Sequence, residues 1–209
     1  VAVPGSLKAW CETLQRFGSM PLADVMQPAI KYAARGYAAT PYLHECITDS
    51  AAEMLKDKEI SAIYLPNGVP LKVGERVVQS EYAETLTYIS QRGEAALYHG
   101  PLGDILVDYM KKKGGFIARE DLTGYKTVER QPIRADYRGW EILGPPPPAA
   151  SGVHIAQMLN ILEGYDLAKL GFGSAATIHY LAEVLKIAFA DRAAASGDPE
   201  FVNVPVERL

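Results

Sequence analysis

GPPPPAASGVHIAQMLNILEG, residues 144–164, decides how the chain is read, because it joins an extended texture to a helical one. Proline lacks a backbone donor and fixes φ, so the run Pro145, Pro146, Pro147, Pro148 can continue neither a helix nor a central strand. The chain there must be extended, at the end of a sheet. Beyond Ala149-Ala150-Ser151-Gly152, apolar residues recur at helical spacing through Val153, Ile155, Ala156, Leu159, Ile161 and Leu162. That spacing predicts a helix ending near Gly164. On the other side, residues 127–143 alternate β-branched and aromatic residues around a turn at Tyr137-Arg138-Gly139-Trp140, which predicts a β-hairpin or two neighbouring strands.

Further downstream the strongest helical pattern starts at Ser174, carries Ile178, Leu181, Ala182, Leu185, Ala188 and Phe189, and closes around Ser196-Gly197-Asp198-Pro199. Toward the N-terminus, Ser6 is a candidate N-cap for a stripe of Leu7, Trp10, Cys11, Leu14 and Phe17, stopped at Gly18. Pro21 opens a second helical stretch, and Pro28 is expected to restart it, because an interior proline clashes one turn back. Gly36 then ends it. Thr40-Pro41 has the order of a helix start, leading into Tyr42, Leu43, Cys46, Ile47, Met54 and Leu55. Residues 60–78 lose the helical period and read as a loop-rich connector, with an extended piece at Ala62-Ile63-Tyr64-Leu65 and turns at Pro66-Asn67-Gly68 and Val73-Gly74. Helical pattern returns between Ser80 and Gly93, and from Pro101 to Gly114-Gly115. The fold class expected is α+β and mainly helical, a helical layer with one small β element.

Composition fits a globular chain of 209 residues, with 48% hydrophobic and 22% charged residues and a formal charge of −4. A nucleic-acid partner would require a concentrated basic face. Lys111-Lys112-Lys113 and the spaced Arg130, Arg134 and Arg138 read instead as a solvated helix end and strand edges. No apolar run approaches the roughly 20 residues that span a bilayer. Cys11 and Cys46 sit among apolar residues, where two buried thiols are expected rather than a disulfide or a metal pair.

The sequence alone brings no nucleophile beside a base. His44, His99, His154 and His179 are scattered without metal-ligand spacing, and no metal or cofactor is expected. There is neither a Gly-x-Ser-x-Gly elbow nor a phosphate loop. Glu120-Asp121 is read as the start of a short helix. Asp191-Arg192 is read as two residues pointing apart, each with a partner elsewhere, in a buried structural ion pair, with a site-lining role as the alternative.

The order of local signatures carries more than any one of them. Val3-Pro4-Gly5, Phe17-Gly18, Pro21-Leu22, Gln27-Pro28-Ala29-Ile30 and Gly36 are followed by Ala95-Ala96-Leu97-Tyr98-His99-Gly100, Gly114-Gly115, Asp121-Leu122, Tyr125, Pro132 and Tyr137-Arg138-Gly139. Then come Pro146-Pro147-Pro148, Gly152-Val153-His154-Ile155, Leu159-Asn160-Ile161-Leu162-Glu163, Ala182-Glu183, Ala190-Asp191-Arg192, Gly197-Asp198-Pro199, Phe201-Val202 and Val204-Pro205. This succession resembles the large subunit of gamma-glutamyltranspeptidases, N-terminal-nucleophile hydrolases, over the whole chain. One departure is clear: after the prolines the family has Ser-Ser-Gly-Gly, and Ala149, Ala150, Ser151 and Gly152 stand here. Hydrogen bonds made by those hydroxyls do not carry over, which bears on substrate preference.

The resemblance implies the helical layer and part of the strand framework of an αββα fold, with residues 1–209 as a single incomplete domain from the C-terminal portion of the large subunit. It implies a precursor that cleaves itself before a threonine, whose hydroxyl, activated by its own α-amine, attacks a gamma-glutamyl amide. That threonine is expected downstream, on a small subunit, and the family's carboxylate-binding arginine upstream. None of Thr13, Thr40, Thr48, Thr85, Thr87, Thr123, Thr127 or Thr177 has the family's nucleophile context, so no catalytic residue is assigned within the chain, its substrate-binding residues are left unknown, and the chain alone is expected to be inactive. The alternatives are a glutaryl (cephalosporin) acylase of the same superfamily and a non-catalytic helical interaction module. Apolar faces that should pack on other polypeptide favour self-association of the isolated piece. The family's bacterial members imply a periplasmic or extracellular location.

Overall fold

The computed structural model describes residues 2–208. Its contacts divide the chain into two compact units, Val1–Thr127 and Val128–Leu209. As expected, it is mainly helical with few strands.

In the first unit, α1 (Ser6–Phe17) starts one position earlier than the sequence suggested: Ser6 lies inside the helix and Gly5 takes the N-cap without a side-chain bond. The second helix, α2 (Leu22–Arg35), runs unbroken through Pro28, contrary to the expected restart. Proline inside a helix costs ~3 kcal/mol. The cost is borne because Met26 and Ile30, on either side of the proline, and Ala33 pack against Ala83 and Leu86 of α5 (Ser80–Arg92). Tertiary burial on both sides of the break outweighs one lost hydrogen bond. At the end of α2, the Arg76 guanidinium donates to the carbonyls of Arg35 and Gly36 at 2.7 and 2.8 Å, closing the helix from the neighbouring ribbon. That ribbon is β1 (Tyr37–Ala38) paired antiparallel with β2 (Arg76–Val77).

Thr40 caps α3 (Pro41–Met54) as expected, its hydroxyl accepting the Leu43 N–H at 3.1 Å. The connector that follows departs from expectation. Residues 62–64, read as extended, belong to α4 (Lys58–Tyr64). The missed signal is Asp57, whose carboxylate accepts the N–H groups of Glu59 and Ile60 at 2.9 and 3.1 Å and so starts the helix. Packing completes it: Ile63 and Tyr64 lie against a core of Ala39, Ile47, Leu65, Leu71 and Val77. Asp57→Ala and Thr40→Ala are each expected to cost ~1 kcal/mol, read as a lowered denaturant midpoint at unchanged slope. Equal midpoints for wild type and both variants would contradict these caps.

Three short or medium helices finish the unit: α6 (Ala95–Tyr98), α7 (Pro101–Lys112) and α8 (Arg119–Thr123). Asp121 accepts the Ala118 N–H at 2.8 Å, which confirms the acidic helix start. Tyr98 is fully buried; its hydroxyl donates to the Pro4 carbonyl at 2.6 Å, and its ring stacks on Tyr125 with centroids 5.8 Å apart.

The second unit is built on the predicted hairpin, β3 (Ile133–Tyr137) with β4 (Trp140–Gly144), in the register Tyr137↔Trp140. Arg138 and Gly139 both have positive φ, 49° and 83°, the pair a two-residue hairpin turn requires. After the proline run, α9 (Ser151–Glu163) packs against both strands. Contact is closest at two glycines: a Cβ on Gly152 would meet the Pro145 carbonyl and stand 2.8 Å from the Gly144 carbonyl carbon. The short α10 (Leu167–Leu170) leads to α11 (Ala175–Ala195), which Ser174 caps by accepting the Thr177 N–H at 3.1 Å. Val184 and Ala188 bury the face of α11, while Ile178, Leu181, Leu185 and Phe189 stay exposed. No helix among the described residues is long and apolar enough to cross a membrane.

Candidate functional site

His154 is set on the first turns of α9, one helical turn before Gln157, and both are buried, at 6% and 7% exposure. Residues three apart share a helix face. This face looks onto the C-terminal end of α11, which supplies Asp191 and the capping residue Ser196. The four side chains form a continuous line. Ser196 Oγ lies 3.1 Å from His154 Nε2, His154 Nδ1 lies 3.1 Å from Gln157 Oε1, and Gln157 Nε2 donates to Asp191 Oδ2.

The direction of the protons follows from the far end. A carboxylate only accepts, so the Gln157 amide must present its nitrogen to Asp191 and its oxygen to His154. Gln157 Oε1 then takes the Nδ1 proton, which leaves Nε2 with a free lone pair toward the Ser196 hydroxyl. A hydroxyl, a base and a group orienting the base are the elements of nucleophilic activation. Next to Ser196, the Gly197 N–H has no hydrogen-bond partner among the described residues. Ser196 is solvent-exposed, and a cavity of about 10 Å³ beside it is lined by Pro147, Pro148, Ala150, Val153 and Gly197. That is room for about one water-sized group. A wider groove of about 400 Å³ meets the same histidine and is lined by Ser151, Ile155, Met158, Phe189 and Arg192.

Sequence reasoning missed this line because its members lie up to 42 positions apart. The one local signal is the spacing of His154 and Gln157 on a face that is otherwise apolar. The expected buried ion pair at Asp191-Arg192 is not formed among the described residues. Asp191 is bonded to the neutral Gln157 amide, and Arg192 is exposed with its guanidinium over the Phe189 ring at 5.6 Å. Consecutive helical residues do not share a face, so only Asp191 reaches α9.

Most of the other singled-out residues have structural partners. His44 Nδ1 lies 2.7 Å from the Leu71 carbonyl, while His99 and His179 are exposed. Among the described residues no three or more His, Cys, Asp or Glu side chains are grouped to hold a metal. Cys11 and Cys46 are free and half-buried rather than fully buried. Burial, and then the nearby Glu94 carboxylate, push the Cys11 thiol up from its ordinary value, which makes it a weak nucleophile. Thr48, Thr85, Thr87 and Thr123 donate to carbonyls one turn back on their own helices, and Thr127 bonds to Glu12. Arg130 and Arg138 are tied in rather than simply solvated. The first is 3.5 Å from Glu200, and the second donates to the Tyr165 carbonyl at 2.7 Å. A cleft of about 540 Å³ in the first unit is lined by Lys8, Cys11, Glu12, Met20, Arg92 and Glu94. Lys8 is already held there by the Tyr125 carbonyl at 2.9 Å, and burial together with the neighbouring Glu94 carboxylate keeps the Cys11 thiol protonated.

The family model described as Gamma-glutamyltranspeptidase matches residues 1–209. Among curated proteins, the chain is 60% identical over 209 residues to the "Acylase ACY 1 proenzyme" of Pseudomonas sp. (strain V22), covering 100% of this chain and 38% of that protein. It is 42% identical over 207 residues to the "Glutathione hydrolase proenzyme" of Escherichia coli (strain K12), covering 99% of this chain and 36% of that one. The chain thus spans little more than a third of the length of these relatives. Among solved structures, the gamma-glutamyltranspeptidase of Helicobacter pylori superposes with a TM-score of 0.93 at 34% identity, over 99% of this chain and 60% of that one. The cephalosporin acylase of Bacillus halodurans superposes with a TM-score of 0.90 at 31% identity, over 99% and 39%.

Proposed function

The chain belongs to the gamma-glutamyltranspeptidase family, and from that premise we propose that it is the bracing part of a two-subunit hydrolase and transferase of gamma-glutamyl amides. The observation that carries this reading is the family match along the full 209 residues. Relatives described as proenzymes support maturation by cleavage, in which the threonine that begins the second subunit becomes the nucleophile. Such a threonine needs no separate base, since its own α-amine takes the hydroxyl proton. The acyl-enzyme then passes its gamma-glutamyl group to water or to an acceptor amine. In this reading, residues 1–209 are one incomplete domain whose exposed α11 face is closed by further polypeptide, and the isolated piece would self-associate through that face. The same reading carries export to the periplasm or the cell exterior.

A second reading has its own support: 60% identity to an acylase against 42% to a glutathione hydrolase. Under it the leaving amine is the same kind of group but the acyl donor is a glutaryl-type chain without the α-amine. Ala149 and Ala150, in place of the family's two serines, mark the departure on this chain's side. Assaying the parent protein with a gamma-glutamyl anilide against a glutaryl anilide separates the two. Higher kcat/KM for the gamma-glutamyl compound is expected, and preference for the glutaryl one transfers the assignment to the acylase reading. No turnover of either compound overturns both.

A further inference from the structure

We infer that Ser196 is an acyl-accepting nucleophile that takes small activated acetyl esters, with His154 as its base. The inference uses only α9 and the end of α11, so acyl transfer to Ser196 is read separately from any acyl group carried by the threonine proposed above.

Three features carry it. The Ser196 hydroxyl is 3.1 Å from a histidine nitrogen whose lone pair is left free by the Nδ1–Gln157 bond. Asp191 fixes the Gln157 amide and so removes the other tautomer, a role whose loss is costly in hydrolytic triads. The Gly197 N–H, on the residue after the serine, has no partner among the described residues and is the donor assigned to a developing oxyanion.

Attack of Ser196 Oγ on the acetyl carbon forms the C–O bond to the serine as the hydroxyl proton moves to His154 Nε2. The bond to the leaving alcohol breaks, and Nε2 returns the proton to the alkoxide. Water then attacks the acetyl-serine, giving one proton to Nε2, and the serine leaves with that proton as acetic acid is released and ionises in solvent. The imidazolium that forms twice is offset by the Gln157 carbonyl dipole backed by the Asp191 carboxylate. Two magnitudes limit the substrate. The cavity of about 10 Å³ beside Ser196 matches a methyl-sized acyl group. Ser196 also lies at the C-terminus of a 21-residue helix, whose dipole opposes the oxyanion. The substrate class is therefore a short acyl group on a good leaving alcohol, and amides are excluded.

The test treats the full-length parent protein with p-nitrophenyl acetate, quenches in acid and maps acetyl groups by peptide mass spectrometry. Exposed Ser19, between α1 and α2 and outside the line formed by α9 and α11, serves as the internal reference. The Ser196 peptide is expected to gain one acetyl group about 100-fold faster than the Ser19 peptide, the scale of general-base assistance. Ser196→Ala should remove that adduct. Gln157→Leu, and Asp191→Asn as a milder change that lets the amide turn over, should each slow it about tenfold or more by freeing the tautomer. Acetylation of Ser196 no faster than Ser19, or an unchanged rate in both tautomer variants, overturns the inference.

Discussion

Tyr98→Ala is expected to destabilise the first unit by about 3–5 kcal/mol, the range for emptying an aromatic site in a packed core. Tyr98 has 0% exposure and is among the largest fully buried side chains of the molecule. Its ring stacks on Tyr125 and lies 5.2 Å beneath the Lys8 ammonium. Its hydroxyl donates to Pro4 and accepts the Lys8 N–H at 3.3 Å, so one side chain pins the start of α1 to α6. Alanine would leave a cavity and strand the Pro4 carbonyl. Tyr98→Phe keeps the ring and loses only the hydroxyl, so it should cost about 1–2 kcal/mol. Denaturant unfolding of the three proteins checks the order, and equal stability of Tyr98→Ala and wild type would refute this account of the core.

The same hydroxyl sets a pH dependence. Burial, followed by the negative potentials of Tyr125, Glu94 and Cys11, pushes the Tyr98 phenol above its ordinary value, although the Lys8 N–H works the other way. A raised folded-state pKa means that the native state holds the proton longer than the unfolded chain does. The stability contribution is complete below the ordinary phenol value of about 10 and is lost as the pH rises through the higher folded value. Cys11, raised by burial and Glu94, adds a decline of the same sign starting nearer the thiol range. Stability should therefore fall on the alkaline side, less steeply in Tyr98→Phe. Identical alkaline slopes in wild type and this variant would remove Tyr98 as the cause.

Gly152→Ala is the change expected to damage the second unit most, by about 3 kcal/mol, the upper end of the usual overpacking cost. The added carbon would meet backbone, not a flexible side chain: the Pro145 carbonyl oxygen, the Pro145 nitrogen at 2.9 Å and the Gly144 carbonyl carbon at 2.8 Å. Relief requires moving α9 from the end of β4, which would also carry His154 and Gln157 away from α11. Thermal unfolding should therefore drop steeply, and the Ser196 acetylation of the same protein should fall with it. Gly139 has no heavy atom within 4 Å of an added Cβ, so Gly139→Ala isolates the backbone cost of positive φ from the steric one. A melting temperature for Gly152→Ala at or above that of Gly139→Ala would contradict close packing at this joint.

Local signals made much of the architecture readable. The Tyr137-Arg138-Gly139-Trp140 turn, the proline run, the Thr40-Pro41 helix start and the apolar spacing of α9 and α11 all act within a few residues. Sequence periodicity reports such interactions directly. The failures came where distant residues prevailed. Pro28 stays inside α2 because Ala83 and Leu86 hold the helix from α5. Residues 58–64 coil because Asp57 caps them and a core formed by Ala39, Ile47, Leu71 and Val77 receives Ile63 and Tyr64.

By itself, then, the sequence determined the helical class, the hairpin with its turn, and the family, since a long colinear series of short motifs depends on order alone. Only the tertiary structure decided that Ser196 stands against His154, that Gln157 selects the tautomer and that Asp191 bonds an amide instead of an arginine. A hydrogen bond is fixed to within a few tenths of an ångström and has a direction. It can be assigned only after two helices, formed independently along the chain, have been brought to a definite distance and rotation.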